Sequence, residues 1–296
     1  MAERLAELTA QIESVRQLEA VVTAMRGIAA SRAQSGRSLL PGIDAYTQVV
    51  SQAIAEALSL LPHDGAAAAW DRAAGRGLIL FCAEQGFAGA FSERVLDRAA
   101  GEPPYTTLLL LGTRGAMLAR ERGMAPAWTS PMATSANAVP DLASRLAETL
   151  YARIADDEVA RVDIVYSRTR ATGGIEIERR SLLPLDYGHF KQPIEGRRPL
   201  TNLPPPVLLE RLASEYIYAQ LCQAAMQAFE AENEARMLTM GAARTNIQNK
   251  LVGLARLERR LRQQEITAEV LELSTGAEAS IGSGSTAVRR RGHPLT

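Results

Sequence analysis

"VVTAMRGIAASRAQ", residues 21–34, sits near the start of a chain of 296 residues. Its spacing is helical, yet it carries too many small and polar residues for a deep core and too much charge for a membrane. Outward from it, Leu5, Leu8, Ile12, Val15, Leu18, Val22, Met25 and Ala29 follow at steps of three and four. That spacing predicts a coiled-coil seam. Two successive three-residue steps flank Val15, which reads as a stammer that locally overwinds the helix. Pro41-Gly42 predicts a kink or an interruption. The pattern resumes through Val49, Val50, Ile54, Leu58 and Leu61 until Pro62, giving an N-terminal coiled-coil helix over residues 1–61.

The period changes over residues 76–190. "GLILFCAEQGFAGAFSERVLDRAA" is an apolar run, a glycine turn and a helix, and "TTLLLLGTRGAMLARERG" repeats that order. "LASRLAETLYARIADD" reads as an amphipathic helix, and "RVDIVYSRTRATGGIEIERRSLLPL" as two strands around Gly173-Gly174. Strands alternating with helices predict an inserted, small, Rossmann-like α/β domain whose mainly parallel sheet carries an antiparallel hairpin at its edge. The proline-rich "EGRRPLTNLPPP" then leads into a helical pattern over 207–275. There Ile247, Leu251, Leu254, Leu257 and Leu261 contain a second extra three-residue step. At 1.5 Å per residue the two helices span roughly 90 and 100 Å, too long for a compact domain to bury. An antiparallel coiled-coil rod is expected, its seam including Leu8, Ile12, Val15 and Val22 on one helix and Leu251, Leu254 and Leu261 on the other. Residues 276–296 read as a flexible tail.

Composition narrows the function. Hydrophobic residues make up 47% and charged residues 22%, while 33 basic residues balance 33 acidic ones. Nothing in that balance draws the chain toward nucleic acid or anionic lipid. The two cysteines, Cys82 and Cys222, lie far apart, so neither a disulfide framework nor a zinc site is expected. The start does not read as a targeting segment, and no stretch of 18 apolar residues occurs. His63, His189 and His293 have no nearby acid pair or second ligand, and Ser92 and Ser167 lack a nucleophile-elbow pattern. No catalytic site, cofactor or metal is expected. The turns at Gly86–Gly89 and Gly112–Gly115 follow strands, where phosphate loops occur, but neither matches GxGxxG or GxxxxGK[ST]. They read as tight strand-to-helix turns. The rival is a nucleotide- or small-molecule-binding α/β enzyme with its site at Gly86–Gly89 and a helical dimerisation hairpin; a coiled-coil scaffold is a third reading.

Four segments carry a resemblance. "IESVRQLEAVVTAMRGIAASRAQ", "LFCAEQGFAGAFSERVL", "ENEARMLTMGAARTN" and "RLRQQEITAEVLELSTGAEA" occur in the order found in the gamma subunit of rotary F-type ATP synthases, which the chain resembles over residues 1 to about 279. The resemblance implies a non-catalytic central-stalk rotor that couples transmembrane ion flow to ATP synthesis or hydrolysis. Its shaft would turn inside a hexamer of alpha and beta subunits, and its foot would stand on the membrane c-ring with epsilon. That places it at the cytoplasmic face of a bacterial inner membrane, as a peripheral component.

The resemblance also implies contacts with beta-subunit loops through Met25, Arg236, Arg262, Gln263 and Thr267, with Met25 and Arg236 level across the coiled coil. On that register Met1 stands near position 260, and the helix after Arg262 projects alone. The arginines of "RLERRLR" (256–262) then form a basic collar for acidic partner loops. Shaft helices rich in small and polar residues would turn without a sticky apolar patch. Departures from the family pattern include Glu84–Ala90, which lacks an arginine and a glycine, Ala20, Gly27 and the extension from Ser280 to Thr296. They suggest a divergent branch, such as the alternate bacterial ATPases, and leave the coupling ion and the favoured direction open.

Overall fold

A computed structural model describes residues 2–61, 75–100, 104–190 and 200–286. In chain order the elements are α1 (Ala2–Leu58), β1 (Arg76–Phe81), α2 (Phe91–Ala100), β2 (Thr107–Leu111), α3 (Thr113–Glu121), β3 (Trp128–Ser130), α4 (Val139–Ala155), β4 (Arg161–Thr169), β5 (Ile175–Leu183) and α5 (Pro205–Thr286). The two terminal helices hold 57 and 82 residues. Contacts divide the chain into two compact units, one joining the residues up to Ala24 with those from Gly241, the other running from Met25 to Met240.

In the first unit the seam keeps a strict seven-residue repeat. Leu8, Ile12 and Val22 are buried, and Leu5, Val15 and Glu19 half-buried; on α5 Ile247 is buried, with Leu251, Leu254, Glu258, Leu261 and Glu265 half-buried. Neither expected stammer is present. Leu18 is 51% exposed and Leu257 43%, and in each case the glutamate that follows takes the seam position. The physical reason is winding: a stammer demands a locally overwound helix, whereas unbroken steps of three and four need only the ordinary slight supercoil. Glu19 stays satisfied in the seam, since its Oε1 accepts from Gln248 Nε2 at 2.9 Å and lies 3.8 Å from Arg244 Nε.

In the second unit α1 runs unbroken through Pro41, so no interruption occurs there. Proline removes one helical donor and crowds the preceding turn. Here Leu40 and Ile43, on either side, pack against the main core and hold the helix through the defect. Small residues set the approach of α1 to α5. Ala29 and Ala33 are buried, and a Cβ added at Gly36 would stand 3.2 Å from Glu230 Cβ and 3.3 Å from Phe229 Cδ1.

The sheet order is β3-β2-β1-β4-β5, parallel except for the antiparallel β4–β5 pair. "GLILF" and "TLLLL" are apolar on both faces because both faces are covered. Ile79, Phe81, Leu109 and Leu111 join the core with α4 and α5, while Leu78, Leu80, Leu108 and Leu110 join the core with α2 and α3. The middle of α5, including Ile217, Leu221, Met226 and Phe229, belongs to the sheet's own core. The sequence division into a separate 76–190 domain therefore differs from the contact grouping: the sheet is completed by a helix that joins the chain 15 residues after Phe190. The C-terminal helix also continues past residue 275, through part of the expected flexible tail, to Thr286. Pro62, His63 and residues 287–296 lie outside the described residues.

Candidate partner-contact surfaces and the sheet crevice

Between β1 and β4 the strand order reverses, since the chain passes from β1 to β2 and β3 on one side and returns to β4 on the other. In open α/β sheets ligands bind outside the carboxyl ends of the strands at such a reversal. Here the loops that follow β1, β2 and β3 are tied together by the chain's own carboxylates. The Glu84 carboxylate, just past β1, accepts from Thr113 N at 3.0 Å, Thr113 Oγ1 at 2.7 Å and Met132 N at 2.7 Å. Thr113 is the first residue of α3, so this acid occupies the helix end where a phosphate would otherwise sit. The amides of Glu84 and Gln85 donate in turn to the Glu232 carboxylate of α5, at 3.3 and 3.4 Å.

Glu232 and Arg236 are 3% and 6% exposed. Arg236 donates to Glu232, to Asn233 Oδ1 and to the carbonyls of Gln85 and Gly86. Burial pushes the Glu232 carboxyl upward from its ordinary range, while Arg236 and the two amides favour the charged form. Within this chain Arg236, expected to meet a beta-subunit loop, is buried and directs its donors to the turn after β1 and to Glu232 and Asn233 of its own helix. The register is corrected. Arg37 pairs with Glu230 and Asp44 with Gln223, seven residues on in one helix and seven back in the other. Extending that pairing places Arg236 level with Ser31, not with Met25, which is half-buried on α1.

The Gly86–Gly89 turn lines an open depression of about 300 Å³ with Phe87, Phe91, Ser92 and Arg114 among its walls. Gly89 has φ +59°, but the other left-handed residue is Phe87, at φ +62°, rather than Gly86. Phe87 is also 64% exposed. Sequence reading missed it; the available signal was an aromatic in a turn too short to bury it.

On α5 the Arg256, Arg259, Arg260, Arg262, Gln263 and Thr267 side chains are all exposed. Arg262 pairs with Glu258 at 2.9 Å, and the Thr267 hydroxyl donates to the Gln263 carbonyl. Extending the Glu19–Gln248 pairing puts Ala2 level with Glu265, and residues 266–274 are exposed throughout. These last turns carry Ile266, Val270 and Leu273 at 55, 59 and 74% exposure. The spacing places them on one face, so the expectation of a shaft without an apolar patch fails here.

Cys82 and Cys222 are buried free thiols. His189 ends a short 3-10 turn, and His293, like His63, lies outside the described residues. Among the described residues there is no cluster of three or more potential metal ligands, and no helix is long and apolar enough to cross a membrane.

A family model described as ATP synthase matches residues 4–279. An ATP synthase gamma chain from Kineococcus radiotolerans is 28% identical over 309 residues, covering 97% of this chain and 100% of the relative. Among solved structures, a chain of the Euglena gracilis mitochondrial ATP synthase, OSCP/F1/c-ring in rotational state 3, superposes with TM-score 0.65 at 14% identity, covering 100% of both chains. The rotor of the same enzyme in rotational state 1 gives 0.63 at 13% identity, covering 90% of this chain and 100% of that one. A match running through both terminal helices and the sheet between them establishes that this chain belongs to the ATP synthase gamma-chain family.

Proposed function

We propose that this chain is the central-stalk rotor of an F-type ATP synthase, coupling ion flow through a membrane ring to ATP synthesis or hydrolysis in a hexamer of alpha and beta subunits. The observation that carries this reading is the family match over residues 4–279. The chain has no catalytic part: it acts by presenting different faces to its neighbours as it turns, so each catalytic subunit is driven by differential contact. The amides of Glu84, Gln85, Thr113 and Met132, at the ends of three strands, already serve Glu232 and Glu84, which supports this reading over a phosphate site at those positions.

Arg262, Gln263 and Thr267 are contacts for beta-subunit loops, and Ile266, Val270 and Leu273 meet an apolar part of the surrounding sleeve. Phe87 joins the contact set, since a left-handed backbone under an exposed aromatic is the kind of strain found at binding sites. Met25 acts from the half-buried seam. Epsilon and the c-ring complete the partner set, and the chain works at the cytoplasmic face of a bacterial inner membrane.

Co-expression with the alpha and beta subunits encoded in the same genome tests the reading. The expected result is one copy of this chain held in the hexamer, and no ATPase from the chain alone. A hexameric ATPase assembled without it would sink the proposal. Met25→Lys, which puts a charge in the seam, is expected to reduce ATP-driven pumping more than assembly; unchanged pumping would remove Met25 from the contact set.

A further inference from the structure

Within the second unit α5 is wrapped in its own protein, and alanines at 219, 224, 225, 228, 231 and 235 are all buried. Alanine faces allow close approach but raise no ridges, so they oppose rotation of a helix about its axis only weakly. Long side chains anchored in neighbouring elements oppose it strongly. Three such arms lie at the carboxyl edge of the sheet, one of them Arg236, which donates to the carbonyls of Gln85 and Gly86. Glu230, 3% exposed, meets Arg37 of α1 at 2.5 Å and accepts from Thr169 Oγ1, at the end of β4, at 2.6 Å. Glu232, two residues on and therefore about 200° around the helix, holds the amides after β1. One helix is thus gripped from two sides by the ends of two adjacent strands. Of these arms Glu230 is the one that also reaches α1, where Gly36 brings the two helices together and Glu234 shares Arg37 at 3.5 Å.

We infer that Glu230 is a torque key: a positioning residue that locks both long helices to the sheet domain, so that rotation passes between them without slip. The inference rests on the rotor reading. Arg37 is about half-exposed, and hydrogen bonding and charge from Glu230 hold its guanidinium further into the charged form. Thr169 fixes the second oxygen and hence the carboxylate plane. A rotor under load needs this stiffness; an unloaded one does not.

The test uses the whole ATP synthase carrying this chain, reconstituted in lipid vesicles. ATP hydrolysis is measured with the membrane potential collapsed by an ionophore, and the steady potential is read by a voltage-sensitive dye without ionophore. Glu230→Gln keeps the shape and weakens the charged hydrogen bonds. It is expected to hydrolyse ATP at the wild-type rate when unloaded, but to sustain a potential lowered at least roughly two-fold. Should Glu230→Gln not enter the enzyme, Thr169→Val carries the same expectation. A wild-type potential in either assembled variant, or an equal loss of unloaded hydrolysis and potential, overturns the key. A wild-type chain that never enters the enzyme overturns the rotor reading itself.

Discussion

At the scale of single residues, the turn after β1 separates what glycine was expected to do from what it does. Gly86 is the conspicuous residue in "QGFAG", yet the left-handed conformation falls on Phe87 and Gly89. Asparagine tolerates that conformation better than phenylalanine does. Phe87→Asn is therefore expected to leave the thermal midpoint of the isolated chain unchanged or slightly higher, while weakening its capture by the alpha/beta hexamer. A fall in the midpoint would show that the ring supports the fold. The thiols give a second residue-scale expectation. Burial pushes Cys82 up to about 12 and Cys222 up to about 11, from an ordinary value of 9.0. A group whose proton is held more tightly when folded stabilises the fold below its unfolded value and loses that contribution as pH rises through the folded one. Stability should decline from about pH 9 upward, and Cys82→Ala with Cys222→Ala should flatten the decline. Thermal melts between pH 8 and 11 measure both.

At the scale of elements, the coiled coil decides between two readings of one pattern. Counted as leucines, the seam stammers; counted by sevens, it is regular and accepts Glu19 and Glu258. The readings predict different costs. Ile12→Ala should lose about 2 kcal/mol in denaturant unfolding, as buried apolar truncations do. Leu18→Ala should fall within about 0.5 kcal/mol of wild type, as exposed changes do. Equal costs would restore the stammer. Pro41 teaches the same lesson: a local helix breaker is overruled when the residues beside it, Leu40 and Ile43, are committed to a core.

At the scale of the whole molecule, the last turns of α5 are the part with least to hold within the chain and most to offer outside it. Removing everything after Gln264 deletes Ile266, Val270 and Leu273, all exposed. The truncated chain is expected to keep its thermal midpoint and its place in the complex, but to lose coupling between hydrolysis and pumping. A collapsed midpoint would mean that those turns support the fold.

Periodicity made the helices, β1, β2 and the β4–β5 hairpin legible, because each depends on neighbours within a few positions. The four family segments made the membership legible for the same reason, being contiguous and in order. Arg236 was legible as a residue of interest but not as a buried one, since its fate depends on a turn 150 residues away. The short β3, "WTS", carries too little pattern to announce itself. Hydrophobic spacing is local, and it was enough to assign the helices, the longer strands and the family they serve. The winding of the seam, the continuity through Pro41, the tying of the strand-end loops by Glu84 and Glu232, and the grip of Glu230 on two other elements emerge only in the folded chain. Those depend on which distant surfaces share one volume, and burial and hydrogen-bond satisfaction settle that across the whole chain at once.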